Sequence, residues 1–287
     1  MLRGCEVQRT LSALVFAPVT LFLLLFHPLV AHVTLTVLAL LTLRELKTIF
    51  ARQGVFISPL AYLAYGLLSL LNIPIITGAE QSKSLFFFSL SLTKPLDLVL
   101  FYWALLVLQM ILSMGYAAWL YPQVSLATLG TNSFIMLYPM AGLFCAQLSL
   151  SYPWWRDAML LALVLTWTYD SVAFAGGSRW GRHFILPQLS PRKSREGVIL
   201  GLLGVVSVAF LYYFINPSLF SLPWLLLIAL VGGIMAQVGD VVASLMKRYC
   251  QVKDSGTFLP GHGGFLDRFD AFYMVIIWVF VVFLIGV

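Results

Sequence analysis

Residues 221–246 read SLPWLLLIALVGGIMAQVGDVVASLM. Asp240 is the sole charge in this run, and it comes near the end. A helix that crosses a bilayer needs about 20 mostly apolar residues, so the stretch predicts a membrane span. An acid at membrane depth is costly and is as a rule paired or functional. Reading outward from this run, eight further stretches meet the same test, at 10–27, 29–46, 56–77, 96–120, 125–150, 157–176, 197–216 and 269–287. The one at 125–150 contains Asn132 and Pro139 and is expected to kink or break. The segment 84–92 (SLFFFSLSL) is too short to span and is expected at the interface. Arg3 and Arg9 precede the first span as in a signal peptide, but no small-residue cleavage site follows, so the span is expected to be retained.

The composition agrees. The 287 residues are 61% hydrophobic and 10% charged, with a mean hydropathy of +0.96. Soluble domains carry roughly a quarter charged residues, so this chain could not cover a soluble surface. Disorder, collagen, coiled coil and soluble nucleic-acid binding are excluded on the same ground. The expected class is an all-α, polytopic integral membrane protein of about nine transmembrane helices. Residues 1–150 are expected to form a transmembrane scaffold and residues 151–287 a catalytic region. Cys5, Cys145 and Cys250 are too few and too scattered for a disulfide framework or a metal cluster, and read as reduced or buried thiols.

The net charge of +6 reads as topology rather than as a nucleic-acid surface, because cytoplasmic loops collect Lys and Arg. Nine spans place Arg3, Arg9, Arg44, Lys47, Arg52, Arg179, Arg182, Arg192, Lys193, Arg195, Lys247, Arg248, Lys253 and Arg268 on one side. Only Lys83, Lys94 and Arg156 fall on the other. The N-terminus and the polar chemistry are therefore expected in the cytoplasm and the C-terminus outside.

Four groups could carry chemistry, all on the predicted cytoplasmic side. The densest is KDSGTFLPGHGGFLDRFD, Lys253 to Asp270. Gly261, Gly263 and Gly264 can turn N–H groups toward phosphate oxygens. Asp267 and Asp270 are three apart at the start of the last helix, where they can share a face and hold Mg²⁺, which prefers oxygen ligands. The plainer alternative is an N-cap with a second acid favoured by the helix dipole. The second group places Asp240, Ser244, Lys247 and Arg248 on one helical face; the two cations could equally be snorkelling anchors. The third is Asp170, followed by Gly176, Gly177, Arg179, Gly181 and Arg182. It could seat a nucleotide, with Asp170 toward a base or sugar hydroxyl and Arg179 toward phosphate, or the glycines could simply pack helices. The fourth is SPRKSREG, Ser190 to Gly197, a cationic lid or a topogenic basic loop.

Together these residues resemble a known family. Ser244-Leu-Met-Lys247-Arg248, Lys253-Asp254-Ser255-Gly256, Leu259-Pro260-Gly261-His262-Gly263-Gly264 and Leu266-Asp267-Arg268-Phe269-Asp270 resemble the signature of the phosphatidate cytidylyltransferases (CDP-diacylglycerol synthases). Asp170, Ala173, Gly177 and Gly181, and the Ser190–Gly197 block, look like further family blocks. Arg192 and Ser194 keep the chemistry of the Lys and Thr usual there, while Arg195 and Ala243 stand where an aromatic and an acid are common. The resemblance covers about the last 120 residues; the first 150 match only as a run of spans.

The resemblance implies that CTP and phosphatidate give CDP-diacylglycerol and pyrophosphate, with Mg²⁺ and a second cation as cofactors. It implies Asp240, Asp267 and Asp270 as metal ligands and, with Lys247 and Arg268, as the catalytic set, Arg268 orienting the Asp pair. Arg179, Lys193, Lys247, Arg248, Lys253 and His262 become candidate phosphate contacts. Asp170 and Gly177 become candidates for CTP, and Ser244, Gly263 and Gly264 complete the substrate-binding set. The expected partners are CTP, phosphatidate and the lipid bilayer, with no nucleic acid, and a homodimer stays open. The expected location is a bacterial cytoplasmic membrane. A secondary transporter would need repeat symmetry, which the sequence lacks. A CTP-dependent lipid-alcohol kinase would release CDP instead of pyrophosphate. A CDP-alcohol phosphotransferase would need a D-G-x-x-A-R…D-x-x-x-D pattern, which is absent.

Overall fold

A computed structural model describes residues 15–59, 126–258 and 263–286, with scattered positions between 62 and 120. Its elements are a short apolar helix α1 (Val15–Leu25) and α2 (Pro28–Ala51), then α3 (Leu126–Ile135), a π-helical segment (Met136–Met140) and α4 (Ala141–Ser149), which run on as one rod. They are followed by α5 (Trp155–Trp180), β1 (Phe184–Leu186), β2 (Ser190–Ser194), α6 (Arg195–Ile215), α7 (Leu222–Tyr249) and α8 (Leu266–Gly286).

Six helices among the described residues are long and apolar enough to cross a membrane: α2, the α3–α4 rod, α5, α6, α7 and α8. They coincide with the spans expected at 29–46, 125–150, 157–176, 197–216, 221–246 and 269–287. The protein is an all-α polytopic membrane protein in architecture. The span expected at 10–27 is represented by the shorter α1. Most of those at 56–77 and 96–120, and the segment 84–92, lie outside the described residues.

The irregularity expected in the fifth span is local. Pro139 sits inside the π-helical segment. Proline supplies no N–H and its ring crowds the preceding turn, so the wider turn absorbs it without ending the rod. Asn132 joins rather than breaks. Its Oδ1 accepts from Ser58 N at 2.9 Å, and its Nδ2 donates to Phe56 O at 3.0 Å and Thr128 O at 2.7 Å. It is buried, so it has no water to fall back on. Asn132→Ala removes all three hydrogen bonds, and we expect a stability loss of about 1–3 kcal/mol, read as a lower apparent Tm in detergent. An unchanged Tm would show that the 55–58 segment is held by other contacts.

One addition to the all-α expectation appears between α5 and α6. Residues 184–194 form a two-stranded antiparallel hairpin, pairing Phe184 with Ser194 and Leu186 with Ser190. Ser194 then caps α6, its Oγ accepting from Gly197 N at 3.1 Å. The Glu196 carboxylate ties the hairpin back: it accepts from Arg182 N at 3.1 Å and His183 N at 3.3 Å, and lies 2.6 Å from His183 Nδ1.

The long helices pack α5 on α6, α6 on α7 and α7 on α8, while α8 also packs on α4 and α5. Small residues set the closest crossings. A Cβ on Gly239 of α7 would lie 2.5 Å from Asp270 O and 2.9 Å from Ala271 Cα, so α7 and α8 touch backbone to backbone there. The Tyr138 hydroxyl, from the π-helical segment, shares its proton between Gly239 O at 2.9 Å and Asp270 O at 2.7 Å. A Cβ on Gly142 would collide with the backbone of Tyr273, and Tyr273 OH lies 2.9 Å from Thr42 Oγ1. Contacts thus cross the expected boundary near residue 150. The helix that opens with Asp267 and Asp270 is braced by the region expected to be scaffold.

Candidate active site

The α7–α8 crossing places Asp240 and Asp270 on adjoining turns of two helices in backbone contact. Asp170 of α5 lies within electrostatic reach of both. Three acids from three helices therefore lie within electrostatic reach of one another. Their cations come from elsewhere in the chain. Lys193 of β2 lies with its Nζ 2.6 Å from Asp240 Oδ2, and among the described residues the buried ammonium has no hydrogen bond beyond that ion pair. Lys247, two turns along α7, donates to Asp267 Oδ1 at 2.6 Å. Their side chains are 17% and 13% exposed, and each ammonium is turned onto a carboxylate.

Asp267 is the most tightly held of the acids. Besides Lys247 on Oδ1, its Oδ2 accepts from Ser255 N at 2.8 Å, Ser255 Oγ at 2.9 Å and Gly264 N at 2.9 Å. Gly263 turns at a φ of +81°, where a side chain would be strained and its Cβ would meet Asp267 Oδ2 at 2.6 Å. The Gly263–Gly264 turn was expected to cradle phosphate; in this structure it wraps a carboxylate. Asp270 differs. Its Oδ1 accepts only from its neighbour Ala271 N at 2.8 Å, and among the described residues it forms no ion pair. Ser244 reaches Asp240 Oδ1 at a long 3.4 Å.

Arg268 was expected to orient the Asp pair. No ion pair joins it to either acid, and its Nε is buried without a hydrogen-bond partner among the described residues. Arg268 lies instead within electrostatic reach of Asp170. A buried guanidinium nitrogen without an acceptor costs free energy unless an anion arrives, which suits a phosphate site.

A cavity of about 290 Å³ opens beside these acids. Asp170 and Asp240 line it, with Lys193 and Arg192 from the hairpin and Tyr169, Phe174 and Gln237 from α5 and α7. Tyr169 OH donates to Gln237 Oε1 at 2.9 Å, fixing that amide. Gly177 and Arg179 are not among its lining residues. A Cβ on Gly177 would meet Ser194 Oγ at 3.2 Å, so this glycine lets α5 lie against the hairpin and α6, which is the packing alternative. Arg179 is exposed, its guanidinium 5.4 Å from the centre of the Trp180 ring. Arg248 is exposed and reaches Leu189 O and Val252 O at 3.4 Å. Lys253 is exposed. His262 lies outside the described residues.

Two contributors were not singled out from sequence. Glu45 of α2 accepts from Phe265 N at 2.8 Å and from Leu266 N at 3.0 Å, and Ser255 Oγ donates to it at 2.8 Å. The signal available was an acid at the end of an apolar span, beside Arg44 and Lys47. Tyr138 gave no signal, because a tyrosine in an apolar run looks like core. Of the cysteines, Cys145 and Cys250 are free thiols. Burial pushes the Cys250 thiol up from its ordinary range, more than the nearby Arg52 draws it down, so it stays neutral and is no thiolate nucleophile.

The profile of the cytidylyltransferase family matches residues 7–285. The chain belongs to that family. Its relatives include a phosphatidate cytidylyltransferase of Thermotoga maritima, 45% identical over 137 residues, which is 45% of this chain and 51% of the relative. One of Staphylococcus haemolyticus is 41% identical over 118 residues, 41% of this chain and 45% of the relative. One of Bacillus subtilis is 40% identical over 114 residues, 40% of this chain and 42% of the relative. The chain thus spans about half the length of the curated relatives it matches. The family resemblance read from the Ser244–Asp270 motif is met by relatives that bear that name.

Proposed function

We propose that this protein is a CTP:phosphatidate cytidylyltransferase, which transfers CMP to the lipid phosphate and releases pyrophosphate. The proposal rests on one juxtaposition: Lys193 on Asp240 and Lys247 on Asp267, each at 2.6 Å, with Asp170 and Asp270 within electrostatic reach of Asp240. A phosphate oxygen of phosphatidate attacks the α-phosphorus of CTP, and the bond to the bridging oxygen of the β-phosphate breaks. The nucleophile is already an anion, so no strong base is needed. The barrier lies in bringing two anions together and stabilising the departing pyrophosphate. Lys193, Lys247 and Arg268 are the cations placed to do this. Asp170 and the adjoining cavity would take the nucleoside.

Asp240, Asp267 and Asp270 are the residues proposed to hold Mg²⁺, which when bound neutralises the triphosphate and polarises the reacting phosphorus. The donor set fits a hard cation. All three offer oxygen alone, and two already hold an ammonium. Among the described residues no three His, Cys, Asp or Glu side chains stand as a coordination group. Asp267 is turned toward Lys247, Ser255 and Gly264. A second cation, with its ligands unassigned, is part of the same proposal.

The orientation proposed is that of the Lys and Arg asymmetry, with the site in the cytoplasm and the C-terminus outside, in a bacterial cytoplasmic membrane. Glu45 accepts from Leu266 N, Lys247 pairs with Asp267 and Lys193 pairs with Asp240, so the C-terminal parts of α2 and α7, the hairpin and the start of α8 lie toward one face, which is consistent with that orientation. The test is an assay of purified protein with Mg²⁺. Pyrophosphate release that requires both CTP and phosphatidate is expected. Release with CTP alone, or none with both, would count against the proposal.

A further inference from the structure

Glu45 belongs to the first half of the chain, yet its carboxylate sits at the N-terminus of α8, more than 200 positions away in sequence. The first N–H groups of a helix have no partner within it, and a carboxylate there is favoured by the helix dipole. Here the partner is borrowed from α2. Oε1 accepts from Phe265 N at 2.8 Å and Oε2 from Leu266 N at 3.0 Å. No cation pairs with Glu45 among the described residues, so these N–H groups and the Ser255 hydroxyl are what hold its half-buried carboxylate. The seat is closed on its other side. A Cβ on Gly264 would collide with both Glu45 carboxylate oxygens and with Ser255 Oγ.

Ser255 connects this seat to the acids. Its hydroxyl lies 2.8 Å from Glu45 Oε2 and 2.9 Å from Asp267 Oδ2. One proton cannot satisfy two carboxylates fully, so the serine is held between them, and its backbone N–H adds a bond to Asp267 Oδ2. Asp267 is left with Oδ1 pointing to Lys247. We infer that Glu45 is a positioning residue: it fixes the first turn of α8 and, through Ser255, the direction of the Asp267 carboxylate. It touches no reacting atom. The inference rests on the cytidylyl transfer proposed above for its consequence in turnover, but not for its geometry.

Two variants test it. Glu45→Ala removes all three bonds. Glu45→Gln keeps one acceptor oxygen and sets an NH₂ donor against a backbone N–H. Amide exchange at Ser255 and at 264–266 is expected to quicken in both, with the rest of α8 unchanged. Per folded molecule, kcat is expected to fall about 10- to 100-fold in Glu45→Ala and less in Glu45→Gln, while the KM for CTP stays within about twofold. A helix cap of purely structural importance would lower the folded yield and leave kcat of the folded fraction alone. That result, or unchanged exchange at 264–266, would overturn the inference. If the wild type shows no turnover, the cytidylyl transfer has failed, and the exchange measurement alone then decides for or against Glu45.

Discussion

Asp270→Asn is expected to fold as well as the wild type and to turn over at least about a hundredfold more slowly. The two halves of this result have separate causes. Asp270 makes no ion pair among the described residues, and its one hydrogen bond is Ala271 N to Oδ1. An Asn offers the same acceptor in the same place. Removing the carboxylate also relieves its repulsion with Asp240 and Asp170, which lie within electrostatic reach. The apparent Tm in detergent should therefore hold or rise. Turnover should fall, because the acid proposed to bind a hard cation has become neutral. Asp267→Asn is the instructive contrast: it weakens the Lys247 pair and the anchoring of Ser255 and Gly264, so both Tm and activity should drop. Near-normal turnover of Asp270→Asn at saturating Mg²⁺ would remove Asp270 from the site.

Gly239→Ala is expected to destabilise the protein by about 1–3 kcal/mol and to lower turnover by about tenfold or more. The added Cβ has nowhere to go: 2.5 Å away is a carbonyl oxygen and 2.9 Å away a Cα, both backbone of α8. A flexible side chain could swing aside, whereas this backbone is held by Tyr138 OH at Asp270 O. The two helices must part, and they part at the crossing beside Asp240 and Asp270. Gly130→Ala is the matched control. A Cβ there meets nothing within 4 Å, so this change should hold or slightly improve stability through helix propensity. A Gly239→Ala protein with the Tm and turnover of Gly130→Ala would show that α7 and α8 do not touch at this point.

The long helices were legible because a bilayer imposes a simple demand on sequence. Some 20 apolar residues in a row leave few alternatives, and the stretch at 221–246 meets the demand alone. Pro139 was legible as a disturbance, because a missing N–H is a local fact. The hairpin at 184–194 was not, since its short strands carry Arg192 and Lys193 and read as a basic loop. The lysines were ambiguous for a different reason. Positive-inside topology and phosphate binding ask for the same residues at the same membrane face, and burial separates them only once the fold is known: Lys193 and Lys247 turn inward, Arg179 and Lys253 outward. The partners of Asp267 were half legible. Gly264 lies three residues away and Ser255 in the same loop, but Glu45 depends on α2 arriving beside α8, which no local pattern records.

Whether the proposed site moves a nucleotidyl group or a phosphoryl group is decided by the position of a label. Purified protein, Mg²⁺ and phosphatidate are incubated with CTP labelled at the α- or the γ-phosphorus, and lipid and aqueous products are separated. Cytidylyl transfer puts the α-label in the lipid and the γ-label in pyrophosphate. A γ-label in the lipid, or a lipid that stays unlabelled with folded protein present, would contradict it.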